Sequence, residues 1–414
     1  MTTLINYLQT IGTQSFTEQP LNATDILLLT ELLYLPVDDV VPHSLDSFLS
    51  LEKIAISYLE NHPQHFKNNA FLASEARAKL MEHVGQSTRF KHLKLAHFIN
   101  EVHLEDEMQF AAATYQIDEN HYLVVFRGTD DTLVGWKEDF KISYLQSIPA
   151  QQAAVNYLQQ TLEQLDGHIY VSGHSKGGNL AIFACAHLAP TQFERLIHIY
   201  AFDAPGFNAT FLEKDSYRQL ENKLSTYVPE DAIIGQLMQH ASTPHVVKSR
   251  AFGLEQHNSL NWEIHEGDFV YLDKVSTLSL IIDQTFAQWL DNRNTEELQY
   301  FFDTIFDVFK QADIASLNEL SNDFWGSLKA IQQAISTLNE KDRTYMTQSF
   351  QDVLTIAFAL MKQHQTRNFS QHFSFESLSE KFNYWFNDSY KKIDQFFNPI
   401  ITLNSTSTEN PDHD

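Results

Sequence analysis

Cysteine is nearly absent: Cys185 is the only one in 414 residues. A single thiol excludes an intramolecular disulfide and any cysteine-based metal site. Its neighbours, LAIFACAHLA, are apolar, so it reads as a buried helix residue. Positive charge is scarce as well, with 28 Lys and Arg against 53 Asp and Glu and a formal net charge of -25. A surface of that sign repels phosphate backbones, which argues against a nucleic-acid partner. Long apolar runs are missing too. The run ILLL at 26–29 is far short of the ~20 residues a membrane helix requires. The opening MTTLINYLQTIGTQSF has no basic region ahead of an apolar one, so no secretory signal is expected and a cytoplasmic setting is. No His-Glu-x-x-His pattern occurs, and GHSKGG lacks the spacing of a phosphate-binding loop. Neither a metal nor a cofactor is expected.

What is present falls into successive regimes. Residues 1–92 read as a helical segment packing on the core. DILLLTELLYL is apolar almost all round and predicts a buried helix ending at Pro36, and SLDSFLSLEKIAISYLENH places Leu45, Phe48, Leu49 and Ile56 near a helical period. Residues 93–272 carry short strand-like runs: FINEVH, FAAATYQ and YLVVFRG, then strand and helix in alternation through IYVSG, NLAIFACAHLA, IHIYAFD, LSTYVP and HVVKSRAF. That order predicts an α/β fold with a mixed, largely parallel sheet. Residues 273–400 return to helix, with Leu298, Phe301, Phe302, Ile305, Phe306 and Phe309 on one stripe and Asn294 and Glu297 as a capping box. The stripe reads first as packing surface, and protein partners are a second use open to it. The tail 401–414 is polar and expected to be disordered.

The chemistry concentrates at IYVSGHSKGGN, residues 169–179. A serine projects clear of its neighbours where a strand turns sharply into a helix, provided small residues flank it. Gly173 and Gly177 stand two before and two after Ser175, with a strand-like run before and a helix-forming run after. A serine hydroxyl is a weak nucleophile until a base takes its proton, so a histidine held by a carboxylate must follow. On this type of fold the acid lies beyond a later strand and the histidine after it. LSTYVPED offers Asp231, with Glu230 as a close competitor; Asp203 in YAFDAPG is another, read as fixing its turn. Of His240, His245, His257 and His265, His257 follows the strand HVVKSRAF in a loop-like stretch and is the expected base. Oxyanion donors are expected from the backbone N–H of Lys176 and from Thr129, which follows YLVVFRG.

These residues together resemble the class 3 lipase branch of the α/β-hydrolases, and within it an Mbeg-like bacterial group. FRGT (126–129) with Trp136 and Asp139, GHSKGG (173–178), AFDAPGF (201–207), VPED (228–231) and His257 carry the resemblance, over roughly Asp25 to Phe269. It implies an α/β-hydrolase fold and a serine ester hydrolase acting on a small-molecule or lipid ester. Ser175, Asp231 and His257 would be the triad, with Thr129 and Lys176 as oxyanion donors. Acyl-thioester hydrolysis or acyl transfer could use the same triad, and a non-catalytic interaction protein could keep the fold. One departure stands out: Lys176 occupies a position usually bulky and apolar, which reads as a cation beside the oxyanion and favours an anionic acyl donor.

Overall fold

The computed structural model describes residues 3–64, 74–103, 105–130, 133–314 and 324–364. The chain divides into two compact units, 1–291 and 292–414.

The first unit is built on a nine-stranded sheet. β1 (Leu49–Ser50), β2 (Lys94–His103), β3 (Met108–Gln116) and β4 (His121–Phe126) pair antiparallel in chain order. β5 (His168–His174), β6 (Leu196–Phe202), β7 (Leu224–Pro229) and β8 (His245–Val247) then add parallel to β4, one beside the next. β9 (Ile264–His265) and β10 (Asp268–Phe269) form a small separate hairpin, and β11 (Tyr271–Leu272) closes the large sheet antiparallel to β8.

Helices cover both faces. α1 (Leu4–Ile11), α2 (Ala23–Leu32), α3 (Leu51–Asn61) and α4 (Glu75–Gln86) share one apolar cluster with Leu123 and Val125 of β4. α5 (Leu133–Lys141), α6 (Pro149–Gln164) and α7 (Lys176–Ala186) follow β4 and β5. The opposite cluster joins α6 and α7 to Tyr122, Val124 and Phe126. Alternation along β4 therefore divides the core into two layers, as a strand buried on both faces must. Short turns α8 (Pro190–Phe193), α9 (Ala209–Leu212) and α10 (Asp215–Arg218) lead between the later strands, and α11 (Thr277–Asp291) ends the unit. A mixed sheet, parallel from β4 through β8 and sandwiched by helices, with a sharp strand-to-helix turn at its centre, is the α/β-hydrolase architecture.

The N-terminal helices are thus one wall of this core. α2 is buried on every side, which is why its sequence is apolar almost all round and why its two carboxylates, Asp25 and Glu31, are each paired with an arginine. Asn22 and Asp25 cap it reciprocally, and Asp25 is also paired with Arg89 at 2.5 Å inside the core. Two local expectations need correction. The helix read across 45–56 begins only at Leu51: Leu49 instead pairs with Leu95 at the sheet edge, Ser50 caps the helix, and Ile56 faces solvent. Its buried stripe is Leu51, Ile54, Ala55 and Tyr58. HVVKSRAF pairs as strand only over its first three residues.

The second unit contains α12 (Thr295–Gln311), α13 (Phe324–Thr337) and α14 (Glu340–Gln363). Asn294 and Glu297 cap α12 through two bonds of 2.9 Å. Its stripe packs inward, with Phe301 against Phe350 at 5.8 Å between ring centres, and Arg293 meets Asp352 at 2.6 Å. The tail 401–414 lies outside the described residues.

Candidate active site

β5 ends at His174 and α7 starts at Lys176, so Ser175 alone makes the turn. Its backbone sits at φ 58, ψ -133, outside the conformations a non-glycine residue ordinarily adopts. Such strain persists only where the surroundings over-determine it. Here they do. A Cβ on Gly173 would lie 2.1 Å from the Gly177 backbone, and one on Gly177 would lie 2.1 Å from Phe126 O, so strand and helix touch through bare backbone. The serine is left at the end of the sheet, 8% exposed.

His257 lies at the end of a short helical turn, Gly253–His257. Its Nε2 is 3.0 Å from Ser175 Oγ, and its Nδ1 is 2.6 Å from Asp203 Oδ2. The network fits one tautomer: Nδ1–H donates to the carboxylate and Nε2 accepts from the serine hydroxyl. Asp203 is fully buried, and its other oxygen accepts the Gly235 N–H at 3.0 Å. Ser175 and His257 therefore meet as the spacing suggested, but the acid beside them is Asp203.

Asp231 has other partners, which corrects its expected place. Its Oδ2 accepts from Gln256 Nε2 at 2.7 Å and from the Gly253 N–H at 3.1 Å, and its own N–H donates to Gln256 Oε1 at 2.9 Å. It ties down the turn ahead of His257. Asp203 directly follows β6, the immediate neighbour of the serine strand, whereas Asp231 comes after β7, one strand further off. Asp203 also adopts φ 43, a left-handed conformation at the strand end.

Thr129 follows β4, beside the turn. Gly128 packs so closely there that an added Cβ would lie 3.0 Å from Ser175 Cβ and 2.6 Å from His174 O. The Thr129 hydroxyl donates to Asp139 Oδ2 at 2.5 Å. Burial pushes the Asp139 carboxyl up to about 6, against the opposing pull of Lys176 and of the Thr129 hydrogen bond.

The Lys176 side chain turns away from this site. It is 1% exposed, and its three ammonium donors are all used, on Gln109 O at 2.8 Å, Gln109 Oε1 at 3.0 Å and Glu138 Oε2 at 2.9 Å. Glu138, also fully buried, accepts in addition the N–H groups of Gln109 and Ala150 at 3.0 and 2.9 Å. The expected cation beside an oxyanion is therefore a structural ion pair that joins β3, α5 and the start of α7. Sequence reasoning passed over Glu138 and Gln109 entirely; the signal for them would have been Lys176 itself, which a buried helix start can hold only beside a carboxylate.

Among the described residues no group of three or more His, Cys, Asp and Glu is placed to hold a metal ion, and no helix is long and apolar enough to cross a membrane.

The profile of the family described as Mbeg1-like matches residues 84–307. No curated protein matches the chain. Among solved structures, one described as M37 lipase shares 14% identity, with 52% of this chain and 70% of that one covered and a TM-score of 0.32. A deletion mutant of the Rhizomucor miehei lipase propeptide complex shares 13% identity, with 64% and 76% covered and a TM-score of 0.35.

Proposed function

The chain belongs to the Mbeg1-like family, and from that premise we propose that it is a serine hydrolase cleaving carboxylic esters through an acyl-enzyme. The observation that carries the reading is the continuous hydrogen-bonded chain Ser175–His257–Asp203 at 3.0 and 2.6 Å, with the serine on a strained turn between strand and helix.

The residues divide the work as follows. Ser175 Oγ attacks the ester carbonyl carbon while its proton passes to His257 Nε2. Asp203, buried against Nδ1, holds the ring in register and stabilises the imidazolium that forms. The carbonyl oxygen, now negative, is met by the backbone N–H groups of Thr129 and Lys176, the latter at the positive end of α7. Collapse of the intermediate breaks the bond to the alcohol, which leaves with the proton from His257. Water, deprotonated by His257, then attacks the acyl carbon, and Ser175 recovers its proton as the acid departs.

A neutral acyl ester suits this site better than an anionic acyl donor. The feature that favoured an anionic donor was the Lys176 charge, and that charge is spent on Glu138 and Gln109. The same relay argues against a fold kept only for binding partners, since a binding surface has no need of it. A cytoplasmic setting belongs to the same reading.

The test is a panel of p-nitrophenyl esters of graded acyl length beside the matching acyl thioesters, with acid-quenched samples weighed by mass spectrometry. The expected result is ester turnover with a covalent acyl adduct on the protein. No turnover of any ester and no adduct would sink the proposal.

A further inference from the structure

His257 is held from two directions by residues that precede the family-matched segment. Tyr34, just after α2, places its hydroxyl 2.8 Å from His174 Nδ1, and the other nitrogen of that ring, Nε2, lies 2.8 Å from the His257 carbonyl oxygen. Only one pattern satisfies all these groups: Tyr34 O–H donates to Nδ1, and Nε2–H donates to the carbonyl. The two imidazole rings also pack against each other, 4.7 Å apart. Burial keeps His174 neutral by drawing its pKa down to about 4, and raises that of the Tyr34 hydroxyl, so both donors keep their protons in neutral solution.

The second tie reaches the chain beyond His257. Ser259 Oγ donates to Glu31 Oε1 at 2.6 Å, and Glu31, on α2, is held on its other oxygen by Arg77 of α4 at 2.7 Å. Arg77 in turn lies over the Tyr34 ring, 4.8 Å from its centre. Glu31, Arg77, Tyr34, His174 and Ser259 are all nearly or fully buried. The cluster therefore ties the histidine segment to the N-terminal helices at its backbone carbonyl, through His174 of β5, and again two residues later, through Ser259.

We propose that the N-terminal helices act as a clamp that positions the histidine for the reaction inferred above, with Tyr34 working through His174 and Glu31 through Ser259. These are positioning residues: none touches the reacting atoms. The proposal rests on the hydrolase reading for its kinetic consequence and on the hydrogen-bond geometry alone for its structural one.

The experiment uses the full chain carrying Tyr34→Phe, Ser259→Ala or both, each of which removes one hydroxyl and adds no bulk. Amide hydrogen exchange of the segment 253–262 is expected to speed up in the variants while β5 and α7 exchange as in the wild type. With p-nitrophenyl esters, kcat is expected to fall by about 10- to 100-fold with KM little changed, the signature of a displaced catalytic group. At His174, glutamine, which keeps a donor for the carbonyl, is expected to retain more activity than alanine. Wild-type exchange in segment 253–262 of the folded double variant would overturn the clamp. If the exchange accelerates but the wild-type protein cleaves no ester, the clamp stands and the hydrolase reading falls. Should the double variant fail to fold, Tyr34→Phe alone is decisive by the same exchange measurement.

Discussion

An Asp203→Asn variant is expected to lose about 10⁴-fold in kcat on p-nitrophenyl esters, because an amide can no longer stabilise the imidazolium or hold the required tautomer. Asp231→Asn is expected to lose no more than about tenfold, the scale of one weakened hydrogen bond. The contrast follows from the geometry. Asp203 Oδ2 lies 2.6 Å from His257 Nδ1, whereas the Asp231 carboxylate is engaged by Gln256 and the Gly253 amide. Both of those bonds end on Oδ2, so an asparagine at 231 with its carbonyl oxygen in that position still accepts them, more weakly for lack of charge. At 203 an amide brings no charge to the ring, and with its NH2 toward Nδ1 it selects the tautomer whose Nε2–H cannot take the serine proton. Steady-state kinetics on both variants, with circular dichroism as a check of folding, decide the matter. A reversed ranking would return the acid to Asp231.

Lys176→Met is expected to destabilise the first unit by about 3–5 kcal/mol, as breaking one side of a buried ion pair does. The substitution leaves Glu138 with its two backbone donors but without the cation that offsets its burial, and strips Gln109 of a donor to each of its oxygens. Urea unfolding measures this directly. A side chain that met substrate instead would give nearly unchanged stability and an altered KM for anionic esters. The ion pair also reaches the loop that carries Thr129, since Gln109 Oε1 additionally accepts the Asp130 N–H at 3.4 Å.

These two cases mark what could be read from the chain before its structure. The serine turn was legible because its requirements are local: two glycines, a strand before and a helix after, all within eleven residues. The mixed sheet was legible for the same reason, since strand and helix periods alternate visibly from 93 onward. The choice of acid was not local. It depends on which strand end lies across from His257, and YAFDAPG and LSTYVPED each offer a carboxylate after a parallel strand. A signal did exist in Asp203-Ala-Pro-Gly, where an acid at a strand end precedes a stretch that cannot continue the strand. Lys176 misled for a related reason: a residue beside the serine in sequence can still point into the protein. The N-terminal helices were legible as buried, while their tie to His257 joins residues more than two hundred positions apart, as Glu31 and Ser259 show.

The central claim is that Ser175 is the nucleophile. Incubation of the purified protein with a fluorophosphonate, followed by proteolysis and mass spectrometry, tests it most directly. The expected result is one adduct per chain on Ser175, absent from the Ser175→Ala variant. Absence of any adduct, or equal labelling of the wild type and Ser175→Ala, would contradict it.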